Sequence, residues 1–137
     1  MKSDNMSQVN TVKEIKTRVT TCRLRDDGIL ESIGFQGVEV KLADAIEIIE
    51  AQAVLAAGKK HPLIVNIIGT KHLDRDARMY FTGKKAEINV SFMALVVNSS
   101  IEKMIANFII GFNKSSFPVK VFTSEEESIS WLKGLMK

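Results

Sequence analysis

Two short stretches carry the residues whose types and spacing suit chemistry: Thr70, Asp74, Arg75, Asp76 and Arg78 in one, and Asn98, Ser99 and Ser100 in the other. Guanidinium groups beside carboxylates suit recognition of an anion or of a charged protein surface, and hydroxyls that end an apolar run supply further hydrogen bonds. A second chemistry is raised by His61 and His72, since an imidazole with Asp74 or Asp76 and a serine is the material of acid–base or nucleophilic catalysis. That reading needs roles that converge, and the sequence has no nucleophile elbow, phosphate-binding glycine loop or His-Glu-x-x-His spacing. The expectation is therefore a protein that is not an enzyme, with no catalytic residue, no metal ligand and no cofactor. Asp74 and Ser99 have a simpler employment as helix N-caps, because each stands just before an apolar-periodic segment. Arg75 and Arg78 do not, because positive charge near a helix N-terminus costs ~0.3–1 kcal/mol unless an anion lies close. The single Cys22 falls in a strand-like segment and reads as a buried thiol.

The elements that must position these groups follow from periodicity. Leu63–Ile68 is short, β-branched and nearly continuously apolar, the composition of a strand covered on both faces. Gly69 and Thr70 break it, and Asp74 opens a helix through Ala77, Met79, Tyr80 and Phe81, with Asp76 as a first-turn acid. Phe92–Val97 is a second such strand, expected beside the first and parallel to it. In an open α/β sheet the crevice lies outside the carboxyl ends of the strands, which is where both candidate stretches fall.

Upstream, Val19–Arg25 and Ile29–Phe35 flank Asp26-Asp27-Gly28 as an antiparallel hairpin, and Val38-Glu39-Val40 is a short extended piece. Leu42, Ala45, Ile46, Ile49, Ala53 and Ala56 recur at helical spacing before Gly58. Lys84–Asn89 reads as a connection with one helical turn. Ser99 and Glu102 form a capping box for a helix whose apolar face is Ile101, Met104, Ile105, Phe108, Ile109 and Phe112, with Ile101, Ile105 and Phe108 expected to be buried. Residues 113–116 read as a loop, Pro118 and Val119–Phe122 as an edge strand, and Thr123 with Glu126 as the capping box of a last helix. Ile129, Leu132, Leu135 and Met136 of that helix are expected to face inward, with Trp131 packing nearby.

The fold class is thus α/β: a mixed sheet of about five strands, with an N-terminal antiparallel hairpin and a parallel centre, and about four helices. Residues 1–16 read as a polar arm and 17–137 as one domain. With 137 residues, of which 45% are hydrophobic, the chain supports one core. Its apolar runs are shorter than the ~20 residues of a membrane-spanning helix, and its N-terminus is polar, so a soluble cytoplasmic protein is expected. The net charge of +3 comes partly from a basic stretch at Lys59, Lys60, Lys71, Arg75, Arg78, Lys84 and Lys85. Without interleaved aromatics this reads as a solvated face and excludes a nucleic-acid partner. No feature separates an apolar homodimer face from core, so self-association is left open.

The hairpin around DDGIL, the helix ending LAAG, the strand PLIVNIIGT leading into LDRDAR, the strand ALVVNSS and the closing PVKVFTSEEESISWLKGL together resemble the STAS-like (SpoIIAA-like) family. That family includes the bacterial anti-sigma-factor antagonists. The resemblance spans most of the chain from about residue 17. It implies a non-catalytic regulatory or binding module, read out by a protein partner or a small anionic ligand at the edge around residues 70–78. The family's Asp-Ser-Ser-Gly turn, with its phosphorylated serine, is matched here by Asp74-Arg75-Asp76-Ala77. Asp76 stands where that serine would be, so no phosphorylation switch is expected there, and a fixed negative charge replaces it. A weaker likeness to Sec14-like proteins implies the alternative, a carrier of a small apolar or lipid-like ligand against the helix from Ile101 to Phe112.

Overall fold

Successive side chains of a strand point to opposite faces of its sheet, so a strand apolar at nearly every position must be covered on both sides. The computed structural model, which describes residues 13–111 and 117–136, is built on that consequence. Its elements run β1 (Glu14–Lys16), β2 (Thr20–Leu24), β3 (Leu30–Gly34), β4 (Glu39–Val40), α1 (Leu42–Ala56), β5 (His61–Asn66), β6 (His72–Leu73), α2 (Arg75–Phe81), α3 (Lys84–Glu87), β7 (Val90–Val96), α4 (Ser100–Gly111), β8 (Val119–Phe122) and α5 (Glu125–Leu135). Six strands form one sheet in the order β1-β2-β3-β5-β7-β8. The first three are antiparallel, and β3, β5, β7 and β8 are parallel. The two central strands are neighbours in the register Leu63 to Met93 and Val65 to Leu95.

Leu63, Met93 and Leu95 pack on one face with Ala45, Ile48 and Leu55 of α1, Ala77 of α2 and Ile105 and Ile109 of α4. Ile64, Ala94 and Val96 pack on the other with Leu132 of α5, and Trp131 stands 5.6 Å from Phe122 there. Cys22 is a buried thiol, and burial pushes its pKa up.

Several expectations are corrected. Lys16 does not end a featureless arm, because Glu14–Lys16 pairs with β2 as an edge strand, Ile15 opposite Cys22. The extended piece at Val40 pairs with His72-Leu73 in a separate two-stranded parallel sheet, β4 with β6. On α1 the buried stripe is Ala45, Ile48, Ile49, Gln52, Leu55 and Ala56, while Ala53 and Leu42 are exposed. The stripe is turned because polar Gln52 belongs to it, where its amide bonds Ser32. The last helix is capped by Ser124, whose hydroxyl accepts from the Glu127 N–H, one residue later than expected, and Leu135 and Met136 at its end are exposed.

The largest correction falls on α4. Ile105 and Ile109 are buried, but Ile101 is 55% and Phe108 45% exposed, with Met104 at 52%. At ~100° per residue the apolar positions of α4 span roughly 240°, more than one sheet face can cover. The residues left outside are Ile101, Met104 and Phe108 in one row, with Phe108 against Arg78 of α2, and Ile110 on the other side of the arc. Phe112 and the loop at 113–116 lie outside the described residues, as does most of the arm.

Candidate functional site

The turns that leave β5 and β7 lie side by side because the two strands are parallel neighbours. Glu102, in the first turn of α4, joins them. Its carboxylate accepts from the Gly69 N–H at 2.7 Å and from the Asn98 N–H at 2.8 Å, while its own N–H donates to Ser99 Oγ at 3.2 Å. The capping box is therefore real, with its acid reaching across to the neighbouring strand exit as well as back along its own chain. Burial alone would raise the Glu102 pKa, but the Gly69 and Asn98 N–H groups and the Ser99 contacts outweigh it and hold the carboxyl below its ordinary value.

Gly69 is required at this junction. Its φ is +90°, and a β-carbon there would come within 2.5 Å of the Gln36 side chain, while its carbonyl accepts from the Gly37 N–H at 2.7 Å. Thr70 is buried behind it, with its hydroxyl turned toward Gly34. Asn98 and Ser100 are exposed, and Ser99 is spent on Glu102.

The α2 residues are differently placed from one another. Asp74 occupies the N-cap position, yet its side chain makes no cap bond; its Oδ1 lies 2.9 Å from His72 Nε2 on the surface. Arg78 is explained by its neighbours: Nη1 donates to the Leu73 carbonyl at 2.8 Å, and the guanidinium lies 4.7 Å from the centre of the Phe108 ring. Asp76, two positions away, faces the opposite side and borders a depression with Leu42, Met79, Tyr80, Lys84 and Lys85. Arg75 is exposed. The structure thus brings Thr70, Asn98, Ser99 and Ser100 together at the strand exits and sets Arg78 against α4. Asp76 is turned away from both.

His61 begins β5 and so lies at the opposite end of the sheet from His72. Its ring bridges the Gly28 and Ala56 carbonyls at 2.9 and 3.1 Å. Among the described residues no group of three His, Cys, Asp or Glu is arranged to hold a metal ion, and no helix is long and apolar enough to cross a membrane.

A model of a domain family described as Domain of unknown function (DUF7793) matches residues 22–136. The chain belongs to this family. Among solved structures it is similar to an uncharacterised protein of the DUF3478 family with a SpoIIAA-like fold from Shewanella loihica PV-4, at 14% identity over 86% of this chain and 98% of that chain, with a TM-score of 0.55. The DUF7793 chain has this SpoIIAA-like fold, in agreement with the resemblance carried by its sequence. A protein of unknown function from Arthrobacter sp. FB24 is 28% identical over 87% of this chain and 96% of that chain, with a TM-score of 0.34. No curated protein matches the chain.

Two features of this region are not legible in the sequence. Ile101 and Phe108 are expected in the core and Met104 on the same apolar face, yet all three are exposed, because the apolar arc of α4 is wider than the face it packs against. Glu102 was recognised only as a cap, and nothing in the sequence signals its reach to Gly69.

Proposed function

We propose that the domain is a non-catalytic binding module whose partner surface joins the strand exits to the outer flank of α4. The observation that carries this is the exposure of Ile101, Met104 and Phe108 in one row, beside the Arg78 guanidinium. Large apolar side chains in a contiguous row, rimmed by polar groups, mark interaction sites more often than ordinary surface. Arg78 places positive charge beside that row, so the occupant that suits it is a protein segment presenting apolar side chains flanked by Asp or Glu. Asp76, turned toward Lys84 and Lys85, contributes fixed charge to a different part of the surface.

The carrier alternative asks α4 to line a pocket for an acyl chain. Only Ile105 and Ile109 of α4 border the core cavity, whose volume of about 50 Å³ is too small for such a chain. The partner reading is favoured for that reason.

A display library of random 16-residue peptides tests it, panned on the wild-type domain with the Met104→Asp variant as competitor. Enrichment of peptides with apolar positions flanked by acids, bound at least about tenfold more weakly by Met104→Asp, is expected. Peptides that bind both proteins alike, or a library that does not enrich, would overturn the proposal.

A further inference from the structure

We infer that the core cavity beneath the β4–β6 pair is a hydration site, in which a bound water answers the amide of Gln52 and links α1 to the exit of β5. The inference rests on the cavity alone and is independent of the partner surface. The cavity, of about 50 Å³, lies between the sheet and α1. Polar side chains border it at Thr20, Ser32, Gln52, Asn66 and Thr70, and the rest of its wall is mostly apolar.

Gln52 is 2% exposed, and its amide is half satisfied. Nε2 donates to Ser32 Oγ at 2.9 Å, but Oε1 has no hydrogen-bond partner among the described residues. A buried amide end left without a partner is costly, so its persistence in a core helix points to a donor that reaches it. Turned end for end, the amide would present its NH₂ to the same space, and water, which both donates and accepts, meets either end. Thr70 supplies a second polar group. It is 6% exposed, and its hydroxyl is turned toward Gly34, which also borders the cavity.

Size and polarity select the occupant. The volume exceeds the ~30 Å³ that a water takes up in the liquid but is about a third of the ~150 Å³ apolar cavity that admits benzene, so it holds water and no organic body. A charged occupant would be buried without a counter-ion, which is prohibitive. A buried water wants two to four polar partners, and five polar side chains on this wall are enough to supply them. They come from β2, β3, α1 and the end of β5, so a water held among them joins the first helix to the turn that carries Gly69 and Thr70.

Water-selective NMR on the isotope-labelled full chain tests this, read at the methyls of Ile48 and Leu63, which line the cavity. Cross-peaks from water to those methyls are expected in the wild type, with the sign that marks a bound water, and Gln52→Met should lose them. Cross-peaks relayed through exchanging hydroxyls would persist in Gln52→Met, so their persistence there, or their absence from the wild type, would overturn the assignment. Should Gln52→Met fail to fold, xenon under pressure on the wild type serves instead, because a dry apolar cavity takes up xenon. No saturable shift of the Ile48 and Leu63 methyls is expected; a saturable shift would show the cavity to be dry and refute the water.

Discussion

Glu102 does two jobs with one carboxylate, and titration separates them from ordinary helix capping. Its folded pKa is depressed by the N–H groups of Gly69 and Asn98, so its stabilisation is complete above the ordinary carboxylate range near ~4.3 and is lost as the pH falls through the lower folded value. Glu102→Gln, which keeps the shape and removes the charge, should therefore lower stability at pH 7 by about 1–3 kcal/mol and show a shallower loss toward acid than the wild type. Urea unfolding at a series of pH values checks this, and parallel wild-type and variant curves would exclude the role. At Gly69 the constraint is conformational: Gly69→Ala should cost about 1–3 kcal/mol through its φ of +90°. Adding Gln36→Ala removes the close approach, so the double variant should recover part of that loss in thermal unfolding but not all of it.

Among the elements, α4 shows where the sequence was legible and where it was not. The helix, its Ser99–Glu102 cap and its place after an apolar strand follow from local pattern, because capping and periodicity are properties of neighbouring residues. Which part of an over-wide apolar arc meets the sheet is decided by the elements packed beside it, and no local pattern records that. Gln52 makes the same point from the polar side, since a residue that reads as solvent-facing is drawn inward by Ser32, twenty positions earlier. The division of α4 has a direct consequence. Ile105→Ala, at 6% exposure, should destabilise by about 2–4 kcal/mol, whereas Phe108→Ala should cost about 1 kcal/mol, mostly its contact with Arg78. Denaturant titration gives both numbers, and a Phe108→Ala loss near that of Ile105→Ala would return the outer flank to the core.

For the whole molecule, the parallel centre of the sheet fixes the functional geography. Because β5 and β7 run together, everything that follows their C-terminal ends is gathered on one edge: Gly69 and Thr70, Asn98 to Ser100, and the α2 and α4 helices that carry Arg78 and Phe108. The alternation of strand and helix that produces this edge was readable from periodicity and capping residues, as were the hairpin from its Asp-Asp-Gly turn and the two central strands from their apolar runs. The β1 and β6 strands were not, since three and two residues of ordinary polarity become strands only by pairing with β2 and β4. The proposed partner site joins the strand exits to the α4 flank, and this is the claim most open to direct measurement. A peptide selected on the wild-type domain should be titrated calorimetrically against the wild type and Met104→Asp, with the unfolding midpoint of each protein measured in the same buffer. The expected result is an affinity loss of at least about tenfold with little change in midpoint; equal affinities for the two proteins would contradict it.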